Sequence, residues 1–254
     1  MHVANEAIGF IGKAMAFENT AGSANHQAVA FRNAGDMSAL VGCHIRGYQD
    51  SLYVQSNRQF YRNCVISGTI DFIFGTSATL IQNSTIIVRK PNNNNNNNNN
   101  NNEYTVIVAD GSPLVNMNTG IVIQDCNIVP EAALVPERFT IRSYLGRPWK
   151  NESKIVIMES TIGDFIHQDG WTTWSELNQR NEETCYFAEY ANTGPGANVA
   201  RRVKWKGYKG VISRTEATKY TAGIWLEAGP KSAPKSAAEW LHGLHVPHYL
   251  GFKG

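Results

Sequence analysis

Long apolar runs are absent from this chain of 254 residues. None approaches the 18 or more residues that a membrane-spanning helix requires, so no membrane association is expected. The first residues, Met1 to Ala7, lack a charged segment followed by an apolar core, and no signal peptide is read there. Charge of one sign is also lacking. The balance of 23 Lys and Arg against 21 Asp and Glu leaves a net charge of +2, too small to argue for a nucleic-acid partner. Cysteine is sparse: the four, at 43, 64, 126 and 185, match no zinc spacing. No cluster of His, Asp and Glu has ligand spacing either, so no metal is expected. No Gly-x-Ser-x-Gly elbow accompanies His26 and His44, which removes a serine-hydrolase triad, and His26 is read as structural. No long amphipathic helical pattern precedes about residue 175. A doubly wound α/β fold, which needs helices between its strands, is thereby excluded.

What the chain does contain is a repeat. Its unit is a small residue, one spacer and an isoleucine: Cys43/Ile45, Cys64/Ile66, Ser84/Ile86, Cys126/Ile128 and Ser160/Ile162, with a looser copy at Ala14 to Phe17. The steps are 21, 20, 42 and 34 residues, the third reading as two periods. Short apolar segments flank the units, at 51–55, 79–82, 120–124 and 154–158, bounded by Gly, Asn, Asp or Ser, which is a strand signal. A period near 20 with short strands fits a parallel β-helix, in which successive coils stack over a shared apolar column. Leucine-rich repeats share the period, but their Leu/Asn consensus is missing. The small residues and isoleucines read as a core ladder. Neighbouring strands lie about 4.8 Å apart, so a disulfide between Cys43 and Cys64 stays open.

The same offset carries two acids. Asp50 follows Cys43 by seven residues, and Asp71 follows Cys64 by seven, in the phrases Cys43-His-Ile-Arg-Gly-Tyr-Gln-Asp50 and Cys64-Val-Ile-Ser-Gly-Thr-Ile-Asp71. Stacked coils would bring the two carboxylates side by side, an arrangement suited to acid/base or nucleophilic chemistry without a metal. Two other segments call for a reading. Arg201 to Lys209 mixes cations with aromatics, as a polyanion-binding surface would, although a solvated strand face is the plainer explanation. Residues 92–102 are 11 consecutive asparagines, which cannot build a packed core and read as a loop without function. The sequons Asn83-Ser-Thr and Asn151-Glu-Ser are compatible with secretion.

Six phrases, in order, carry a resemblance: His26-Gln-Ala-Val-Ala30, Gly47-Tyr-Gln-Asp50, Ser56-Asn-Arg-Gln-Phe60, Gly68-Thr-Ile-Asp-Phe-Ile-Phe-Gly75, Leu145-Gly-Arg-Pro-Trp-Lys150 and Glu189-Tyr-Ala-Asn-Thr-Gly-Pro-Gly-Ala197. Together they closely resemble plant-type pectin methylesterases over nearly the whole chain. The resemblance implies an all-β fold, a right-handed, single-stranded parallel β-helix of the pectin-lyase kind, with a short irregular or helical C-terminal region. It implies one catalytic domain over 1–254 and hydrolysis of methyl-galacturonate esters in pectin (homogalacturonan), releasing methanol, with no cofactor.

It also implies roles. Asp71 matches the family nucleophile, and Arg147 the arginine that holds it ionised. Asp50 matches the general acid/base, its pKa raised by a second carboxylate nearby. Gln27 and Gln49 match the amides that donate to the oxyanion, and Tyr48, Phe74, Trp149 and Trp171 the aromatics of the substrate cleft. Secretion to the cell wall, a monomeric state and a proteinaceous inhibitor as partner are implied likewise.

The chain departs from the pattern in two places. Family catalytic domains carry roughly 80 residues before the phrase resembling Glu6 to Gly12, so the chain reads as lacking its N-terminal coils. Val106-Ile-Val-Ala-Asp-Gly-Ser112 stands where Thr-Ala-Gln-Gly-Arg is usual. Two rival readings remain. One is a catalytically inactive pectin-binding wall protein. The other is a β-helical glycosidase using the two carboxylates, against which the glutamine and Arg-Pro-Trp phrases argue.

Overall fold

The computed structural model describes residues 3–91, 104–175, 180–227, 237–243 and 245–253, so the asparagine tract at 92–102 lies outside the described residues. The strands are short, mostly three to five residues, and up to Thr161–Ile162 they hydrogen-bond to the strand three strands away in chain order. Three all-parallel sheets of six, eight and six strands result. Six coils contribute one strand to each sheet, and Tyr186–Tyr190 and Tyr208–Val211 extend the second sheet. The chain is a right-handed parallel β-helix, the hand favoured when a twisted strand returns to pair in parallel. The α-helices among the described residues come late: Arg180–Thr184, Arg214–Thr218, Ala222–Trp225 and Ala237–Gly243.

The sequence repeat is the third sheet. Phe17, Ile45, Ile66, Ile86, Ile128 and Ile162 are successive register partners, all buried. The residue two before each isoleucine enters the core at the bend between the second and third sheets. There the thiols of Cys43, Cys64 and Cys126 donate to carbonyls of Gly12, Leu40 and Ile81 at 3.4–3.5 Å. Ser84 and Ser160 place hydroxyls at the same point, accepting from the Cys64 and Cys126 amides at 3.0 and 3.1 Å. The bend itself is a column of left-handed residues, Ala14, Gly42, Asn63, Asn83, Asp125 and Glu159, with φ between 49° and 63°. Asn and Asp enter this region more readily than other side chains.

One expectation is corrected here, and one open question is closed. The 42-residue step is one coil, because Ile86 pairs directly with Ile128; that coil is enlarged by the excursions after Val88 and Asp110. No Cys43–Cys64 disulfide forms, since all four cysteines are free and buried, and the thiols bond to carbonyls of the coil before.

The middle of the second sheet is covered on both faces, which is why 79–81, 121–123 and 155–158 read as continuous apolar runs. Inside, Ile81, Ile123 and Ile157 join the central core. Outside, Leu80, Val122 and Val156 pack under Trp225, Trp240 and Leu241 of the C-terminal helices, with the Trp225 indole donating to the Thr79 carbonyl at 3.1 Å. Among the described residues the first sheet's outer face has no such cover in its middle, and the cleft forms there. The basic segment 201–209 is only partly a solvated face. Arg202 is 2% exposed and grips Glu189 at 2.9 and 3.2 Å, and Trp205 packs against the core.

Candidate active site

Both acids sit at the corner where the chain passes from the third sheet into the first. Asp50 and Asp71 hold left-handed φ values of 63° and 49°. The corners stack in register: the Asp50 amide donates to the Ile70 carbonyl at 3.1 Å, and the Thr69 amide to the Tyr48 carbonyl at 2.9 Å. One coil earlier, the Ala28 amide donates to the Gln49 carbonyl at 3.1 Å, which places Gln27 beside Gln49 in the same stack. The 21-residue offset is therefore one turn of the solenoid, and it turns sequence repetition into spatial adjacency.

Arg147 reaches this corner from the first sheet. Arg32, Tyr53, Phe74, Ala109 and Arg147 are successive register partners there. Alanine between phenylalanine and arginine leaves a pit in that column. Arg147 folds along it and donates from Nε to Asp71 Oδ1 at 2.8 Å and from Nη2 to Asp71 Oδ2 at 2.5 Å. Its Nη1 donates to the Tyr104 hydroxyl at 3.3 Å, and its guanidinium lies 4.3 Å from the centre of the Trp174 ring.

The pit has a volume of about 300 Å³ and is lined by Gln27, Gln49, Asp50, Asp71 and Arg147, with Phe74, Ala109, Trp149 and Trp174 as its apolar walls. Phe74 is braced from behind by Tyr53, stacked at 4.5 Å with planes 4° apart. Trp149 lies against Gly111, where an added Cβ would fall 2.5 Å from the indole, so only glycine lets the ring settle there.

The two acids differ in environment. Asp71 is 4% exposed; burial pushes its carboxyl up, and the Arg147 fork opposes that with two hydrogen bonds and its charge. A guanidinium cannot give up its proton, so a neutral Asp71 would strand a largely buried cation, and the ionised pair is the stable form. Asp50 is half-buried, and among the described residues no hydrogen bond or ion pair reaches its carboxyl. Burial, and then the Asp71 charge, push it up to about 7, with Arg147 pulling the other way.

All five polar residues singled out in the sequence, together with Phe74 and Trp149, meet in this pit. Two of the aromatics do not. Trp171 is 1% exposed and packs between Phe187 and Tyr208 in the core, because its backbone bridges Gly146 and turns the ring inward. Three residues on, Trp174 is 36% exposed and takes the wall position. Tyr48 is not among the lining residues; its ring lies under the Arg89 guanidinium at 4.0 Å. Ala109 was missed as well, and its only signal was its smallness within an apolar strand.

The Pectinesterase family model matches residues 1–229. Pectinesterase 4 of Arabidopsis thaliana is 45% identical over 247 residues, 97% of this chain and 38% of that protein, so the chain spans well under half of that relative's length. A pectinesterase of Daucus carota is 42% identical over 249 residues, 98% of this chain and 72% of its own length. The solved structure of pectin methylesterase from carrot superposes with a TM-score of 0.89, at 42% identity, covering 98% of this chain and 72% of that one.

Proposed function

The chain belongs to the pectinesterase family, and on that premise we propose that it hydrolyses the methyl esters of galacturonate units in pectin, in the cell wall, releasing methanol. The observation that carries this reading is the unequal treatment of two adjacent carboxylates. Asp71 is gripped by a guanidinium, whereas Asp50 has no cation of its own. Such a pair divides into a nucleophile and a proton donor.

In the proposed sequence, an Asp71 oxygen attacks the ester carbonyl carbon. The carbonyl oxygen takes the negative charge and accepts hydrogen bonds from the Gln27 and Gln49 amides. These are neutral donors, so they stabilise the oxyanion without quenching the nucleophile. The bond from carbon to methoxy oxygen then breaks, and Asp50 gives its proton to the departing oxygen, forming methanol. Galacturonate is left as a mixed anhydride on Asp71. A water passes a proton to Asp50 and attacks the same carbonyl carbon. Asp71 leaves as the carboxylate, and a galacturonic acid carboxyl is released, which ionises in solution. Both acids are then back in their starting states. Phe74, Trp149 and Trp174 offer flat apolar surfaces for the C–H faces of the sugar rings. The acting species is a monomer, and a proteinaceous inhibitor is its proposed protein partner.

Methanol release from methyl-esterified pectin tests the reading. Wild-type protein should release methanol and the Asp71→Asn variant should not; an Asp71→Asn protein with full turnover would rule the mechanism out.

A further inference from the structure

The Asp50 carboxyl takes no hydrogen bond among the described residues, so its place in the pit is set by the backbone turn 47–50 that carries it. That turn packs tightly on the next one: at Gly68 an added Cβ would fall 2.5 Å from the Tyr48 carbonyl oxygen. Its carbonyls are taken up by other coils. The Tyr48 carbonyl accepts from the Thr69 amide at 2.9 Å, and the Gln49 carbonyl from the Ala28 amide at 3.1 Å. The Gly47 carbonyl accepts from a side chain, Arg89, whose Nη1 donates to it at 2.9 Å. Arg89 Nη2 donates to the Tyr48 hydroxyl at 3.0 Å, and the same guanidinium lies 4.0 Å from the centre of the Tyr48 ring. The Arg89 amide donates to the Gly68 carbonyl at 2.8 Å. Gly47 and Gly68 each stand three residues before one of the two acids. Arg89 thus holds both corners at matching points from outside the pit.

The guanidinium is itself aimed. Glu131 Oε1 accepts from Arg89 Nε at 3.2 Å, Glu131 Oε2 accepts from the Lys90 amide at 3.2 Å, and the Glu131 amide donates to the Val88 carbonyl at 2.7 Å. Both side chains of the ion pair are partly exposed, so its charges are screened and its value is directional: it fixes the plane of a fork of donors. We propose that Arg89 is a positioning residue for the reaction, clamping the turn that carries Asp50 so that this carboxyl meets the departing methoxy oxygen. This rests on the reaction proposed above, in which Asp50 gives methanol its proton. Proton transfer needs the heavy atoms within about 3.2 Å, and an acid with no hydrogen bond of its own has only its turn to keep it there. A lysine ammonium is a single point and could not serve Gly47, Tyr48 and Glu131 together. Tyr48 gains a role by the same contacts, as the surface on which the guanidinium is seated.

The experiment compares wild type with Arg89→Met, Arg89→Lys and Tyr48→Phe, none of them at a residue lining the pit. Arg89→Met should lower kcat on methyl-esterified pectin about 10- to 100-fold, the scale of a misplaced reacting group, with KM little changed. Arg89→Lys should fall nearly as far, since it keeps the charge and loses the fork. Tyr48→Phe should lose about threefold in kcat, the scale of one hydrogen bond. A comparison of esters separates positioning from general structural damage. The ratio kcat/KM reports the steps up to release of the alcohol, and trifluoroethanol departs with less help from an acid than methanol does. The Arg89→Met deficit in kcat/KM should therefore be smaller on the trifluoroethyl ester of polygalacturonate than on the methyl ester. An equal deficit on both esters would overturn the proposal, as would a rise in KM with kcat intact, which would make these residues substrate contacts. Amide hydrogen exchange, followed by mass spectrometry, reads the clamp without turnover: in Arg89→Met it should quicken at 47–50 and match wild type over the second sheet. Unchanged exchange at 47–50, or quickening along the whole chain, would also overturn the proposal. Quickening confined to 47–50, in a protein whose wild type releases no methanol, would uphold the clamp and sink the reaction, so the two failures are distinguishable.

Discussion

Arg147 grips Asp71 through two parallel hydrogen bonds, at 2.8 and 2.5 Å, from a strand 76 residues further along the chain. The contact joins a corner of one coil to the sheet face two coils on, and leaves Asp50 as the acid with no hydrogen-bonded cation among the described residues. Lysine could supply the charge but not the fork. Arg147→Lys is therefore expected to lower kcat on esterified pectin about 100-fold, the scale for losing a preorganised positioning contact. Steady-state methanol release checks this, with the thermal midpoint measured alongside to exclude misfolding.

Asp50 sets the pH dependence. Its carboxyl is pushed up to about 7 by burial and by Asp71, so it is protonated below that value and loses its proton above it. If the protonated form donates to methanol, kcat/KM should fall as pH rises through about 7. Asp50→Asn should abolish turnover at every pH. A pH–rate profile on short methylated oligogalacturonates reads both.

Gln27 and Gln49 are expected to act in the transition state and not in binding. Replacing either with Ala should lower kcat by about 10²–10³ while changing KM little. Single-substrate kinetics separate the two parameters.

The two tryptophans separate stability from activity. Trp171→Ala empties a site in the core and should cost about 3–5 kcal/mol of stability. Trp174→Ala removes a cleft wall and the ring beneath Arg147, so it should raise KM and leave the denaturation midpoint nearly unchanged. Urea titration and methanol release, run on both variants, distinguish the roles.

Asp110 should make stability depend on pH. It is fully buried, accepts from the Ser112 and Lys154 amides at 3.1 and 2.8 Å, and has an unpartnered Oδ1. Burial pushes its pKa up to about 7, against the hydrogen bonds and the Lys154 charge. The folded state thus holds this proton more tightly than the unfolded state. Its contribution is full below about pH 4 and is lost as pH rises to 7, at about 1.4 kcal/mol per pH unit. Asp110→Asn should raise the thermal midpoint near pH 7.5 and lose that advantage towards pH 4, as scanning calorimetry would record.

The sequence by itself determined the coil. The small-x-Ile unit could be read because an inward isoleucine must recur each time the chain passes the third sheet, and Asp50 and Asp71 could be paired because they keep one coil's offset. The six phrases located the five polar residues of the pit. Local pattern could not determine where coils expand or which way a side chain turns. Ile86 and Ile128 are register partners across 42 residues, because an excursion can leave a solenoid and return without breaking the ladder. Trp171 and Trp174 differ little in sequence context, and a backbone bridge to Gly146 sends one into the core while the other stays at the cleft. The fork on Asp71 also belongs to the tertiary structure. Its two residues are distant in sequence, and stacking, together with the gap left by Ala109, is what lets Arg147 reach an acid that would otherwise be buried alone.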